Sequence, residues 1–287
     1  MSKIEDALKK AKQALSEKDT KRPDRQVGEE EGTRKPERKE EAKPLEKQVE
    51  AHPDYTRTAF QEVDAELMEE NRIVTLTGKT SHITEQYRML RTQILHKTEG
   101  NGDNCLMVTS AIDGEGKTTT AINLAVSIAR EIHNTVLLVD ADLRRPSIHK
   151  MLDIKPEKGL SNYLLDHVPL EDLLIRTGVE KLTFLPAGES IPNSTELLRS
   201  ATMLDLIREV KERYKNRYVI FDTTPLLVTA DPTVLAQYMD GIIFVVQAER
   251  TPRSDVAEAL ALLEGRNILG MVMNNLSEPP KTYNYDT

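Results

Sequence analysis

The stretch Ala111-Ile-Asp-Gly-Glu-Gly-Lys-Thr-Thr-Thr120 organises the rest of this chain. It follows a short apolar run, Cys105 to Thr109, and it opens a segment, Thr118 to Arg130, in which apolar residues recur at helical spacing. The pattern predicts a strand, a glycine-containing turn and a helix. In such a turn the backbone N–H groups converge on an anion, and the helix N-terminus adds partial positive charge. The stretch is therefore predicted to bind the phosphates of a nucleotide.

Two side chains of this turn are predicted to act directly on the phosphates. Lys117 would contact the β- and γ-phosphates, and the Thr118 hydroxyl would bind Mg²⁺. The pattern is A-x-x-x-x-G-K-T, so Ala111 stands where the strict motif has glycine. The residues of the turn that are predicted to bind nucleotide are Gly114, Glu115, Gly116, Lys117, Thr118 and Thr119. Asn274, after the last predicted strand, is a candidate for reading the base, although an ordinary turn asparagine is an equally good interpretation.

Composition limits the class of protein. The chain has 287 residues, of which 38% are apolar and 30% charged, and this suits one α/β core of about 200 residues with appendages. The net charge of -8 lacks the basic balance of a nucleic-acid binder. A single cysteine excludes an internal disulfide and fits a reducing compartment. The start lacks the apolar core of a signal peptide and no run approaches the ~18 apolar residues of a membrane span, so we expect any membrane role to act through a partner.

Residues 1–70 are predicted to form a short helix and a charged linker. One face of the helix carries the apolar residues Ile4, Leu8, Ala11 and Leu15. This helix either docks on a partner or is a marginal, solvated helix. From Ser16 to His52 the residues Lys, Arg, Glu and Pro dominate, which predicts a disordered tether. Residues 71–276 are predicted to form the folded domain, and residues 277–287 a flexible tail that contains tyrosines.

The folded domain is predicted to begin with a strand or an extended arm, followed by a helix. The arm is Ile73 to Leu76, and the helix runs from Ser81 to Leu95. On this helix Glu85, Arg88 and Arg91 are spaced by three and share one face. That face would form ion pairs with a second copy of the chain, or it is a solvated surface with a local pair of glutamate and arginine.

The remainder alternates strands and helices, as a doubly wound, mainly parallel sheet with helices on both faces requires. The predicted strands are Cys105–Thr109, Thr135–Asp140, Leu182–Leu185, Tyr218–Asp222, Gly241–Gln247 and Ile268–Met273. The clearest of the other helices is predicted from Ser194 to Tyr214. In this architecture the ligand lies at the carboxyl ends of the strands.

Three carboxylates stand at such strand ends. Asp140 and Asp142 terminate one apolar run, and Asp222 terminates another. Mg²⁺ typically takes one or two carboxylates together with phosphate oxygens, and phosphoryl transfer needs a group that accepts the nucleophile's proton. One acid at a strand end is ordinary, but three of them beside a phosphate loop predict a magnesium and catalytic site. Arg144 and Arg145, which follow, would neutralise phosphate charge or bind a neighbouring subunit.

Together these stretches resemble the bacterial tyrosine kinases, the cytoplasmic kinases of polysaccharide synthesis and export. The phosphate loop, Leu137-Leu-Val-Asp-Ala-Asp-Leu-Arg-Arg-Pro146 and Val219-Ile-Phe-Asp222 are similar to that family's Walker A, A′ and B motifs. The resemblance also includes Leu185-Pro-Ala-Gly188 and Pro192-Asn-Ser-Thr-Glu-Leu-Leu-Arg-Ser200. The Glu85-x-x-Arg88-x-x-Arg91 helix matches one that packs between subunits of a ring in that family.

The resemblance implies a P-loop tyrosine autokinase that uses ATP and Mg²⁺. The catalytic residues would be Lys117, Asp140 and Asp142, the metal would be held by Thr118, Asp140 and Asp222, and the subunit interface would contain Glu85, Arg88 and Arg91. It also implies a homo-oligomeric ring, a cognate tyrosine phosphatase and no nucleic-acid partner. A separate membrane-embedded activator, a polysaccharide co-polymerase, would use its cytoplasmic tail to recruit the cytoplasmic kinase to the inner face of the membrane.

The C-terminal tail departs from the family pattern. Members usually end in a dense tyrosine cluster that neighbouring subunits phosphorylate, whereas Lys281-Thr-Tyr-Asn-Tyr-Asp-Thr287 has only Tyr283 and Tyr285. These two are the predicted phosphoacceptors, and two chance tyrosines at a frayed end are the alternative. A smaller departure is Thr223-Thr224-Pro225, where the family commonly has Thr-Pro-Pro.

Two other functions are compatible with the phosphate loop. ATPase switches of the partition or septum-positioning type share the fold and the loop, but they usually carry a second lysine five residues before the loop lysine, where this chain has Ile112. A non-catalytic scaffold that uses nucleotide only to assemble an export complex would explain the sparse tail.

Overall fold

A sheet of eight strands forms the centre of the structure, a computed structural model that describes residues 58–73, 81–213 and 216–277. In chain order the strands are β1 (Ala59–Phe60), β2 (Cys105–Ser110), β3 (Thr135–Asp140), β4 (Ile175–Arg176), β5 (Leu182–Leu185), β6 (Arg217–Asp222), β7 (Gly241–Gln247) and β8 (Ile268–Asn274). They lie in the order β1-β4-β5-β3-β6-β2-β7-β8, and only the pairing of β4 with β5 is antiparallel within the described sheet. All six strands predicted from apolar runs are present, so the mainly parallel sheet is confirmed.

Helices cover both faces of this sheet. They are α1 (Ala65–Glu70), α2 (His82–Thr98), α3 (Lys117–Ala129), α4 (Ile148–Met151), α5 (Leu160–Asp166), α6 (Ser194–Leu198), α7 (Ala201–Glu212), α8 (Asp231–Leu235) and α9 (Arg253–Ala261), with a 3₁₀ turn at Leu170–Asp172. Two apolar layers result, because successive side chains of a strand point to opposite faces. On β6, Phe221 belongs to the same apolar layer as Met203 of α7, whereas Ile220 belongs to the opposite layer with Ile122 of α3. The doubly wound α/β fold is therefore confirmed.

The order of the central strands sets the position of the predicted site. β6 lies between β3 and β2, and Asp222 is in register with Asp140 on one side and with Val108 on the other. β2 ends at Ser110 and leads directly into the phosphate loop. The carboxyl ends of three adjacent strands thus bring both acids beside that loop.

Residues 58–73, named here the N-terminal strap, belong to the folded domain. β1 pairs with β4 at the edge of the sheet, and Met68 and Ile73 are buried, each 3% exposed. The Asn71 side chain donates a hydrogen bond to the carbonyl of Met151 at 2.9 Å. The prediction that the linker extends to residue 70 is therefore wrong for residues 58–70. The few apolar residues of the strap pack against parts of the fold that are distant in sequence, and local sequence does not show such contacts.

Several predicted features lie outside the described residues. They are the helix at residues 4–15, the linker from residue 16 to residue 52, most of the arm at residues 73–76 and the tail from residue 278 onward. In the part of the chain that is described, no helix is both long enough and apolar enough to cross a bilayer.

The helix predicted from Ser194 to Tyr214 is two helices. α6 ends at Leu198 and α7 begins at Ala201, with Ser200 as its N-cap. The Ser200 hydroxyl accepts the N–H of Met203 at 3.2 Å. A serine side chain that takes over a backbone partner in this way ends one helix and starts the next, and the apolar periodicity that runs through both helices conceals the break.

Candidate active site

The phosphate loop (residues 111–116) joins β2 to α3 through two glycines with left-handed backbone. Gly114 has φ of 80° and Gly116 has φ of 87°, values that residues with a Cβ rarely adopt. Gly116 is also the N-cap of α3, and a Cβ at this position would lie 2.0 Å from Nδ2 of Asn274. The loop therefore has the tight geometry that places backbone N–H groups around an anion at a helix N-terminus.

Lys117 begins α3 and lies among the acids of the site. Its Nζ is 3.7 Å from Oδ2 of Asp142 and 3.4 Å from the Thr118 hydroxyl. Burial alone would lower the pKa of Lys117, but the surrounding carboxylates, Asp222 first among them, raise it above its ordinary value. The lysine is therefore a charged ammonium at the start of the helix, where a phosphate would bind.

Asp140 is fully buried and uses only half of its carboxylate. Its Oδ2 accepts the N–H groups of Ser147 and Ile148, each at 3.2 Å, at the start of α4. Its Oδ1 has no hydrogen-bond partner among the described residues. Burial and the neighbouring charge of Asp222 raise the pKa of Asp140 well above its ordinary value. A buried carboxylate oxygen without a donor is costly unless a ligand supplies positive charge.

Asp222 is also fully buried, and the same cost applies to both of its carboxylate oxygens. Neither oxygen has a hydrogen-bond partner in the described ranges. Burial raises the pKa of Asp222 to about 6, although the charge of Lys117 and the hydroxyl of Thr118 act in the opposite direction. Three carboxylate oxygens, one on Asp140 and two on Asp222, are thus buried without a partner at adjacent strand ends.

This set of oxygens fits Mg²⁺ bound together with a nucleotide. Within the described residues, no group of three or more His, Cys, Asp or Glu side chains is arranged to hold a metal by itself. Mg²⁺, however, commonly takes one or two carboxylates and completes its shell with phosphate oxygens and water. Asp140, Asp222 and the Thr118 hydroxyl provide that partial shell.

Asp142 has a different environment from the other two acids. It is 6% exposed, whereas Asp140 and Asp222 are inaccessible to solvent. Its Oδ1 accepts the N–H of Arg145 at 2.9 Å, and its Oδ2 is the oxygen that faces Lys117. The carboxylate is therefore held in place from two sides and keeps some access to solvent, which suits a group that exchanges a proton with a substrate.

Two residues predicted to bind nucleotide make other contacts. The Glu115 side chain is 1% exposed, and its carboxylate accepts the N–H groups of Ile112 at 2.8 Å and Gln247 at 3.2 Å. Asn274 donates through Nδ2 to the carbonyl of Glu115 at 2.9 Å. Glu115 can therefore serve a nucleotide only through its backbone, and half of the Asn274 amide is already used to hold the loop. Thr119 is half-buried in the first turn of α3.

A buried cluster around Asp231 could not be read from the sequence. Arg144 donates to Asp231 from Nε at 3.1 Å, and the hydroxyls of Ser194 and Thr195 also donate to this carboxylate. Burial would raise the pKa of Asp231, but these hydrogen bonds outweigh it and hold the pKa below its ordinary value. Arg144 is thus paired with an acid of its own domain while about a third of its side chain stays exposed, and its role in neutralising phosphate or binding a neighbour stays a prediction.

The predicted subunit-interface residues divide into two groups. Glu85 and Arg88 pair with each other on the surface of α2, and nearly half of each side chain is exposed. Arg91 instead donates to the carbonyl of Ser127 at 3.2 Å and lies 2.8 Å from the Glu131 carboxylate. Arg91 is therefore bound within its own chain. The predicted phosphoacceptors, Tyr283 and Tyr285, lie outside the described residues.

Comparison with known proteins identifies a matching domain family, similar sequences and a similar structure. The sequence profile of the AAA domain family matches residues 105–264. The chain is 36% identical over 208 residues to tyrosine-protein kinase YwqD of Bacillus subtilis, covering 71% of this chain and 86% of that protein. It is 36% identical over 204 residues to tyrosine-protein kinase CpsD of Streptococcus agalactiae serotype Ia, covering 70% and 86%. Its structure resembles the kinase domain of the Escherichia coli tyrosine kinase ETK, with a TM-score of 0.65, 26% identity, and coverage of 80% of this chain and 94% of that one.

Proposed function

Since the chain belongs to the bacterial tyrosine-protein kinases, we propose that it transfers the γ-phosphoryl group of ATP to tyrosines in the C-terminal tail of a neighbouring copy. The observation that carries the proposal is the group of Lys117, Asp140, Asp142 and Asp222 at the end of the phosphate loop. It combines a cation for the phosphates, partnerless oxygens for a metal and a more accessible acid for a proton. Phosphoryl transfer requires these three elements.

The residues divide the chemistry among them. The Lys117 ammonium stabilises charge on the transferred group, and the N–H groups of the loop orient the phosphates. Asp140, Asp222 and the Thr118 hydroxyl would hold Mg²⁺, which would neutralise negative charge on the phosphate oxygens.

Asp142 is the proposed proton acceptor. A free phenol has a pKa of about 10, so the acceptor tyrosine needs a base as its oxygen bonds to phosphorus. The bond from the γ-phosphorus to the bridging oxygen breaks in the same step, ADP leaves with that electron pair, and the phenolic proton passes to the Asp142 carboxylate. Its hydrogen bond from the Arg145 N–H keeps this carboxylate in place for the transfer.

The acceptors we propose are Tyr283 and Tyr285 of another copy in a homo-oligomeric ring. The exposed pair of Glu85 and Arg88 supports this assembly, because both groups can exchange their local contact for one between copies. By analogy with the family, the kinase is cytoplasmic and acts in exopolysaccharide or capsule synthesis and export. A membrane-embedded activator would recruit it to the inner face of the membrane through a cytoplasmic tail, and a cognate phosphatase would reverse the modification.

The deciding experiment maps transferred phosphate. The full chain is incubated with γ-labelled ATP and Mg²⁺, with and without the cytoplasmic segment of a candidate activator, and labelled peptides are identified by mass spectrometry. We expect label on Tyr283 and Tyr285, none in Lys117→Met, and none in the double variant Tyr283→Phe/Tyr285→Phe. Label that persists in Lys117→Met, or label restricted to tyrosines outside the tail, contradicts the proposal.

The assembly is tested separately by its mass in solution. Arg88→Glu places two acids together on α2 and is expected to shift the chain toward monomers in analytical ultracentrifugation, with less transfer between copies. Arg208→Glu is the matched control, because Arg208 pairs with Asp205 on the exposed side of α7 at the same spacing of three residues. A loss of assembly in both variants, or in neither, contradicts the role of Arg88.

The partition-type alternative has less support. Ile112, at the position where those ATPases carry their second lysine, packs its side chain against the apolar core. Steady ATP hydrolysis stimulated by DNA or lipid, without phosphotyrosine, is the result that would favour that function.

A further inference from the structure

Glu115 places a carboxylate beneath the phosphate loop, out of reach of solvent. The residue is 1% exposed. Its Oε2 accepts the N–H of Ile112 at 2.8 Å, and its Oε1 accepts the N–H of Gln247 at 3.2 Å and the Thr251 hydroxyl. All three partners are donors, so the negative charge is distributed over hydrogen bonds. Bonds of this kind to a charged acceptor are stronger and more directional than neutral ones.

The three donors come from two separate parts of the fold. Ile112 belongs to the loop itself, whereas Gln247 ends β7 and Thr251 lies just before α9. The Glu115 carboxylate therefore ties the loop to the connection between β7 and α9 (residues 247–251). The backbone of the loop is held by the same region, because Arg250 donates to the carbonyl of Gly114 at 3.3 Å.

We infer that Glu115 is a positioning residue that fixes the phosphate-binding shape of the loop by anchoring it to the connection at residues 247–251. The backbone N–H groups bind phosphate strongly only when they converge on one point. Two glycines with left-handed backbone give the loop little stiffness of its own, so an external anchor has to supply it. Glu115 acts on the phosphates through the backbone and does not contact them.

The arrangement also predicts which substitutions are tolerated. A glutamine at position 115 would keep one acceptor oxygen but turn an NH₂ group toward a donor, so it cannot replace the carboxylate. At position 251 a serine keeps the hydroxyl donor, whereas a valine keeps the shape and removes the donor. The pair Thr251→Ser and Thr251→Val therefore separates the hydrogen bond from the packing of the side chain.

The test is the affinity for ADP, measured by calorimetry with Mg²⁺ on the full chain. The inference rests on nucleotide binding at the loop and not on which tyrosine accepts phosphate. Glu115→Ala is expected to weaken ADP binding about tenfold or more, and Thr251→Val several-fold, since each removes hydrogen bonds to a charged group. Thr251→Ser should bind like the wild type. Combining Glu115→Ala with Thr251→Val should add nothing to Glu115→Ala alone, because the hydroxyl acts through the carboxylate.

A matched control separates positioning from general loss of stability. Thr177 is a fully buried threonine whose hydroxyl donates to the carbonyl of Leu182, away from the loop. Thr177→Val should lower the melting temperature without changing the ADP affinity.

The outcomes that overturn the inference are distinct from failure of the kinase proposal. Wild-type affinity in folded Glu115→Ala or Thr251→Val, or additive effects in the double variant, overturns the inference. If Glu115→Ala does not fold, as judged by circular dichroism, the comparison of Thr251→Val with Thr251→Ser decides alone. Failure of the wild type to bind ADP would instead overturn nucleotide binding, and the proposed function with it.

Discussion

Replacing Asp222 by asparagine is expected to stabilise the nucleotide-free protein while removing its response to Mg²⁺. Burial raises the pKa of Asp222 from its ordinary value of 3.8 to about 6. Because the pKa in the folded state lies above that in the unfolded state, this group favours folding in acid, and the benefit is lost as the pH rises through about 6. At pH 8 the buried carboxylate is ionised, and the folded state bears the full cost.

The size of the effect follows from the pKa difference of about two pH units. At roughly 1.4 kcal/mol for each unit, the ionised carboxylate costs the folded state about 3 kcal/mol at pH 8. The asparagine variant should regain only part of this free energy. The substitution also removes the Asp222 charge, which stabilises the Lys117 ammonium more than any other carboxylate of the site. We therefore expect the free energy of unfolding to rise by about 1 to 2 kcal/mol at pH 8 and by about half as much at pH 5, because pH 5 lies between the unfolded pKa of 3.8 and the folded pKa of about 6, where the cost of burying this group is still growing.

The assay is urea denaturation followed by circular dichroism, at pH 8 and pH 5, first with EDTA and then with Mg²⁺ and ADP. Asp231→Asn is the matched control, because hydrogen bonds hold the pKa of that buried acid below its ordinary value. This control should lose stability at pH 8. Lower stability of Asp222→Asn than of the wild type at pH 8 with EDTA, or a gain that is equally large at pH 5, would refute the reasoning. So would an undiminished stabilisation of Asp222→Asn by Mg²⁺ and ADP.

Two further predictions concern the loop and the N-terminal strap. Gly116→Ala should lose ADP binding in calorimetry, because the new Cβ would lie 2.0 Å from the Asn274 amide at a φ of 87°. Gly265→Ala is the control, since Gly265 also has a positive φ but has open space around it. This control should lose about 1 kcal/mol of stability and bind ADP like the wild type. Deleting residues 1–70 should lower the melting temperature by several degrees relative to deleting residues 1–57, because the buried Met68 contributes about 2–5 kcal/mol by itself. Equal melting temperatures of the two truncated proteins would contradict the second prediction.

Local sequence patterns correctly predict the strands and the turn that carry the residues of the candidate site. The apolar runs that end in Asp140 and Asp222 are strands, and the glycines of the loop mark the turn before α3. Both features are readable because burial on two faces demands continuous apolar residues and a left-handed turn demands glycine. The proximity of the two acids followed from the rule that ligands bind at the carboxyl ends of parallel strands.

The parts that sequence reasoning missed depend on contacts between distant segments. Because Glu115 belongs to the loop motif, the sequence predicts that it binds the nucleotide. In the structure its carboxylate instead accepts a hydrogen bond from Thr251, which lies 136 residues away in the chain. The sequence predicts that Arg144 contacts phosphate or a neighbouring subunit, but in the structure it donates a hydrogen bond to Asp231. Asp231 lies in α8, 87 residues further along the chain. Charged side chains keep the same local pattern whether they bind a ligand or each other, and only the tertiary structure distinguishes the two cases.

The placement of β1 and β8 at opposite edges of the sheet separates the two ends of the domain. Seven interstrand spacings of ~4.8 Å amount to about 34 Å along the hydrogen-bonding direction, before the twist of the sheet shortens this span. A protein fused directly to residue 58 would therefore be attached at the edge of the sheet remote from the one where the chain leaves β8. A short linker that joins residue 58 to residue 277 would have to cross the width of the sheet, so a circular permutation of the described domain needs a long linker to avoid strain.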